Sequence, residues 1–140
     1  MDSLQTSLIA FIRAFGLHHP EITPCGQSVS VAEAHALMEL TQVVSLSQGE
    51  LSQRLCLEKS TVSRMVGSLD RKDWIKRDRN PADRRIVEIQ LTDVGKQTAA
   101  TLSAARQVKF DKVLSAIPRD RQDDVIEALD ILVEAIRESQ

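Results

Sequence analysis

The sequence predicts a mainly helical fold carrying one small β-hairpin, and three observations predict it. Apolar residues recur at helical spacing in four separate segments, while at Ile86–Leu91 the period switches to two. Between those patterns lies "DRNPADRR", rich in turn formers. Charge is also unevenly placed. Arg54 to Arg85 holds ten Lys and Arg against five Asp and Glu, a net of +5, whereas the rest of the chain holds eight against fifteen, a net of −7.

Taken in order, Ser3 to Phe15 puts Leu4, Leu8, Phe11, Ile12 and Phe15 on one helical stripe. "GLHHPEITPCGQ" breaks that period with glycine and proline and reads as a loop. Ser30 with Glu33 forms a capping-box pattern opening a helix to about Thr41, and Ser47 with Glu50 repeats it for a short helix ending near Leu55. After the tight "CLEK" connection, Val62, Met65, Val66 and Leu69 give the next helix its inward face, leaving Ser60, Ser63, Arg64, Gly67 and Arg71 on others. Val87, Ile89 and Leu91 then point to one side of a strand whose mate is Trp74 to Arg77. Thr92 is an N-cap for a helix to about Ile117. Pro118 starts a last helix, striped by Val125, Leu129, Leu132, Val133 and Ile136.

At 140 residues the chain is most simply one domain with a core of its own. No window of about eighteen apolar residues exists, so no membrane partner is expected. The start "MDSLQTSLIAFIRAFG" lacks the pattern of a secretory signal, and two cysteines are too few for a disulfide scaffold, so a cytoplasmic chain is expected. Scarce aromatics argue against stacking platforms for single strands.

Two short helices joined by a tight turn and followed by a basic hairpin make a winged helix-turn-helix. Such a second helix fits the major groove of double-stranded DNA, its N-terminal side chains reaching base edges. Lys59, Ser60, Thr61, Ser63 and Arg64 occupy that end. Arg84 and Arg85 at the hairpin tip are candidates for the minor groove. Arg54, Arg77 and Arg79 are candidates for phosphates, which position without reading sequence.

Leu46 to Lys96 resembles the core of the MarR family of bacterial transcriptional regulators, through "KSTVSRMVGSLDRKDWI" and "DRNPADRR…VEIQLTDVGK", with Asp-x-Arg at Asp83 to Arg85. The resemblance implies a homodimer with intertwined first and last helices, reading a palindromic site with its second short helices and flanking minor grooves with its wings. It assigns Arg85 to the minor groove and Asp83 to bracing the tip. The expected layout is 1–45 for N-terminal dimerisation helices and a candidate ligand cleft, 46–92 for the winged helix, and 93–140 for C-terminal dimerisation helices. Two positions depart from the family: many members have Gly where Cys56 stands, and Ser, Thr or Asp where Glu58 stands. Gly suits a left-handed turn after a helix, and Glu is a weaker N-cap.

The dimer has an argument of its own: the apolar stripes of the first and last helices need covering, and a twofold assembly reads two half-sites together. Folding back on their own domain is the alternative. The sensed signal is open. His18, His19, His35 and Cys25 cluster in sequence near the region where ligands of the family bind. A metal site is one reading, although no tight ligand spacing appears and the metal stays unknown. A redox thiol at Cys25 is another, although the cysteine of peroxide-sensing relatives lies in the first helix, which here has none. Simple packing, with a small-molecule effector elsewhere or none, is the favoured reading. Cys56 is expected to be a buried apolar plug.

Catalysis is not expected. Ser60, Thr61, Cys25 and Cys56 lack a nucleophile elbow or a phosphate-binding glycine loop. Asp123 and Asp124 read as solvent-facing charge. The rivals, a thiol- or metal-dependent enzyme or a winged helix that binds protein alone, leave the basic island unexplained. No cofactor is expected. The reading is a dimeric DNA-binding regulator, a repressor released by a small-molecule, redox or metal signal.

Overall fold

The computed structural model describes residues 3–140. Its elements run α1 (Ser3–Phe15), α2 (Val31–Leu40), β1 (Leu46–Ser47), α3 (Gln48–Leu55), α4 (Lys59–Arg71), β2 (Ile75–Arg79), β3 (Val87–Leu91), α5 (Asp93–Ala116), a 3-10 turn (Arg119–Arg121) and α6 (Gln122–Glu138). They group into two compact units, one ending at Arg106 and one spanning Gln107–Gln140. Among the described residues, no helix is long and apolar enough to cross a membrane.

The first unit is built on a winged helix. Leu37, Leu46, Leu51, Val62, Val66, Leu69, Ile75 and Ile89 are fully buried in one cluster, each contributing about 1.5–3 kcal/mol relative to exposure. The helix starts follow their caps. Ser30 Oγ accepts from the Glu33 amide at 3.0 Å, and Ser47 and Glu50 close a reciprocal capping box. Thr92 Oγ1 accepts from the Gly95 amide at 3.0 Å and donates to the Asp73 carbonyl.

The sheet has three antiparallel strands in the order β1-β3-β2, one more than the hairpin expected. Strand β1 is only two residues long, Leu46 opposite Ile89 and Ser47 opposite Glu88, too short for any period to appear. The mate of β3 is Ile75–Arg79 rather than Trp74 to Arg77. The shift has a local cause: α4 ends with Asp73 in the left-handed region (φ 61°), and the Trp74 amide is still committed to the Leu69 carbonyl at 3.1 Å. Four exposed charged residues, Lys76 to Arg79, line this edge strand and discourage pairing with another chain.

In the second unit, Pro118 leads into the 3-10 turn rather than starting the helix itself. Gln122 Nε2 donates to the carbonyls of Leu114 (3.0 Å) and Ile117 (3.2 Å), pinning the turn at the head of α6. No α6 residue is buried, and none of α1 is.

Candidate nucleic-acid interface

The turn before α4 is tighter than its sequence advertises. Cys56 caps α3 in the left-handed conformation (φ 55°), the geometry for which Gly is the usual residue. Its side chain is exposed, not the buried plug expected, because this backbone turn carries it away from the core. The Leu57 amide returns to the Ser52 carbonyl at 3.1 Å, and the Ser52 hydroxyl donates to the Leu57 carbonyl. Glu58 then takes the N-cap position with no side-chain hydrogen bond to the helix, so the first turn of α4 keeps unsatisfied amides.

Helix α4 buries Val62, Met65, Val66 and Leu69. Lys59, Ser60, Ser63 and Arg64 are thereby exposed together, and Thr61 is half-buried beside them. The basic residues differ in how they are held. Arg54 pairs with Glu39 at 3.3 Å and Arg77 with Asp70 at 2.7 Å. Exposed pairs of this kind are weak and open to exchange for a phosphate. Arg79 Nη1 donates to the Arg84 carbonyl at 2.8 Å, bridging the arms of the wing.

At the wing tip Asp83 grips Arg85. The carboxylate accepts from the Arg85 amide (3.1 Å), Nε (2.9 Å) and Nη2 (2.8 Å). The Arg85 side chain nevertheless stays 90% exposed. The side-chain bonds to Arg85, then the backbone bond, hold the Asp83 carboxyl below the ordinary aspartate range. The side-chain bonds to Asp83 in turn raise the guanidinium further. The wing thus presents a fixed cation.

A cluster that supports α4 from behind is not visible in the sequence. Glu33, read only as half of a capping box, also receives Lys72 Nζ at 2.8 Å and Ser68 Oγ at 3.4 Å, joining α2 to the far end of α4. Burial pushes its carboxyl up, but Lys72 and Ser30 together outweigh that and leave it below the usual glutamate range. Lys72 also sits 4.8 Å from the centre of the Trp74 ring. Nothing in local sequence marks a contact across 39 positions.

The histidine loop gathers no such site. The His18 and His19 rings lie 4.3 Å apart, tilted by 35°, and His35 lies exposed on α2. Cys25 is half-buried in a small turn closed by the Gly26 amide on the Thr23 carbonyl at 2.9 Å. Among the described residues no three His, Cys, Asp or Glu side chains converge as a metal site requires. A groove of about 260 Å³ lies instead between α2 and the start of α5, with Leu37, Met38 and Leu102 among its apolar lining and Gln42, Lys96 and Arg106 among its polar lining.

Residues 29–87, which hold the α3–turn–α4 unit and most of the wing, match the MarR family model. Over 117 residues the chain is 30% identical to the HTH-type transcriptional repressor MdtR of Bacillus subtilis, an alignment covering 82% of this chain and 66% of MdtR. The chain belongs to the MarR family. It is also 26% identical over 117 residues to the HTH-type transcriptional regulator PapX of Escherichia coli, covering 84% of this chain and 65% of PapX. The chain therefore spans about two thirds of the length of these curated relatives. Among solved structures it is similar to Streptococcus pneumoniae FabT in complex with DNA, with TM-score 0.80, 20% identity and 96% of each chain covered. Streptomyces coelicolor PcaV in complex with its natural ligand gives TM-score 0.77 at 18% identity, covering 97% of this chain and 94% of PcaV. At those identities the likeness is one of MarR fold.

Proposed function

We propose that this MarR-family chain is a DNA-binding transcriptional regulator that acts as a homodimer, represses by occupying a palindromic operator, and leaves it when a signal arrives. One observation carries the reading: the wing tip holds Arg85 exposed and charged, on the same winged helix as an α4 whose N-terminal side chains face solvent. In this reading Lys59, Ser60, Thr61, Ser63 and Arg64 enter the major groove. Arg84 and Arg85 enter the flanking minor groove, and Arg54, Arg77 and Arg79 exchange their present partners for phosphates. MdtR being a repressor and FabT having been captured on DNA support it.

The dimer is supported by α1 and α6, which carry apolar stripes and bury none of their residues. In this layout residues 1–45 and 93–140 assemble the dimer and 46–92 read DNA, in the cytoplasm where DNA is met. For the signal, the α2–α5 groove favours a small organic anion, since Lys96 and Arg106 line it together with Leu37, Met38 and Leu102. PcaV, solved with its natural ligand, is a precedent for an effector on this fold. A redox signal through Cys25 is the second reading, resting on its half-exposed thiol.

The test is selection from a random duplex pool with the intact protein. An enriched inverted repeat, its half-sites about one helical turn apart, is expected for a twofold reader. A pool that stays random after several rounds would overturn the reading.

A further inference from the structure

Glu88 is a carboxylate on a sheet that, in the DNA-binding reading, approaches a polyanion, and its surroundings give it a purpose there. It lies on the central strand β3, opposite Ser47 of β1 and Asp78 of β2, and is half-buried. Its Oε2 accepts from Ser45 Oγ at 3.2 Å, and its Oε1 accepts from Asn80 Nδ2 at 3.1 Å. That second bond fixes which way the Asn80 amide faces. With Nδ2 on the carboxylate, Oδ1 must point to the wing tip, where it accepts from the amides of Ala82 (2.8 Å) and Asp83 (3.3 Å). The flipped amide would set oxygen against carboxylate and NH₂ against two N–H groups, leaving both ends unsatisfied. The turn so formed places Asp83, which holds Arg85.

We propose that Glu88 is a positioning residue for Arg85, acting through Asn80 and Asp83. This rests on the DNA-binding reading above. The relay runs Ser45–Glu88–Asn80–Asp83–Arg85, from the connector after α2 to the wing tip. Its effect is to order a long, exposed side chain before DNA arrives, lowering the entropy lost on binding. The negative charge of Glu88 is tolerated in the wing because it accepts two hydrogen bonds and orients a cation.

The test uses the intact protein and a duplex spanning the region immediately upstream of its coding sequence. Affinities are measured for wild type, Glu88→Ala, Glu88→Gln and Asn80→Ala, each with and without Arg85→Ala. Hydrogen exchange at the Ala82, Asp83 and Arg85 amides is measured without DNA. Glu88→Ala and Asn80→Ala are expected to weaken binding about fivefold, the scale of one net hydrogen bond. Glu88→Gln should stay near wild type, because its oxygen still accepts from Asn80 and its amide can donate to Ser45 Oγ. In the Arg85→Ala background neither alanine change should cost more. Tip exchange should quicken in Glu88→Ala and recover in Glu88→Gln. Asn80→Ala leaves the core untouched, so it serves if Glu88→Ala unfolds.

Tighter binding by both Glu88 variants would show a merely repulsive charge and overturn the proposal. So would a loss that persists without Arg85, or tip exchange indifferent to Glu88. Absence of wild-type binding, to this duplex and in the random pool alike, would instead overturn the DNA-binding reading, while the exchange measurements still decide whether Glu88 orders the tip.

Discussion

Asp83 and Arg85 are locked together two residues apart, the carboxylate accepting from the arginine backbone amide at 3.1 Å and from its guanidinium at 2.9 and 2.8 Å. The aspartate thus works as a clamp for a cation at the outermost point of the wing. A simple charge argument says that deleting Asp83 should strengthen binding to a polyanion. The clamp predicts the reverse. Asp83→Ala should weaken duplex binding about fivefold or more, the scale of leaving one long side chain to be ordered on binding. Arg85→Ala should weaken it roughly tenfold or more. Fluorescence anisotropy with a labelled duplex measures both, and a tighter Asp83→Ala complex would contradict the clamp.

Gly95 seats the start of α5 directly against the Trp74 backbone. A Cβ built there would lie 1.9 Å from the Trp74 carbonyl oxygen, which is backbone and cannot swing aside. Gly95→Ala should therefore destabilise the fold by at least about 2–3 kcal/mol, despite the better helix propensity of alanine. Urea denaturation reads the midpoint shift. A variant as stable as wild type would mean that α5 does not seat against Trp74 as described.

Cys56 holds a left-handed backbone with an exposed side chain whose thiol makes one long contact, donating to the Gln53 carbonyl at 3.8 Å, so little is lost on truncating it. Cys56→Gly should stabilise by about 1 kcal/mol, a gain of a few degrees in the thermal midpoint. A drop would indicate that the thiol makes contacts that its exposure does not suggest.

The Glu33–Lys72 pair gives a pH prediction. Its carboxyl is depressed in the folded chain, so its stabilisation is present above the unfolded value of about 4.5 and is lost as pH falls through the folded value. Glu33→Gln should cost about 1 kcal/mol near neutrality, at the low end for a charged hydrogen bond because Lys72 is more than a third exposed. The gap between variant and wild type should close as pH falls well below 4.5. Chemical denaturation at several pH values follows it, and a gap independent of pH would contradict the assignment.

Much of this fold was legible in the chain because its signals are local. The capping pairs Ser30–Glu33 and Ser47–Glu50 mark helix starts where the structure has them, and the inward face of α4 follows from spacing alone. What stayed hidden depends on tertiary approach. Strand β1 is too short to show a period, and Glu33 meets Lys72 only once α2 packs beside α4. Gly95 shows its role only when the Trp74 carbonyl is placed against it. For the candidate interface, residue types and order could be read, including the proximity of Asp83 and Arg85. The support from Ser45, Glu88 and Asn80 could not, since a strand glutamate reads as ordinary solvent-facing charge until the third strand is known. For the histidine loop, nearness in sequence does not become convergence in space among the described residues, in keeping with packing as the favoured reading there.

The most direct test of the central claim is the affinity of the intact protein for the duplex upstream of its coding sequence, measured across a series of salt concentrations. If the basic island of α4 and the wing is the contact surface, log affinity falls linearly with log salt, and Arg85→Ala both weakens binding and flattens the slope. Binding indifferent to salt, or a slope unchanged by removing Arg85, would contradict the account.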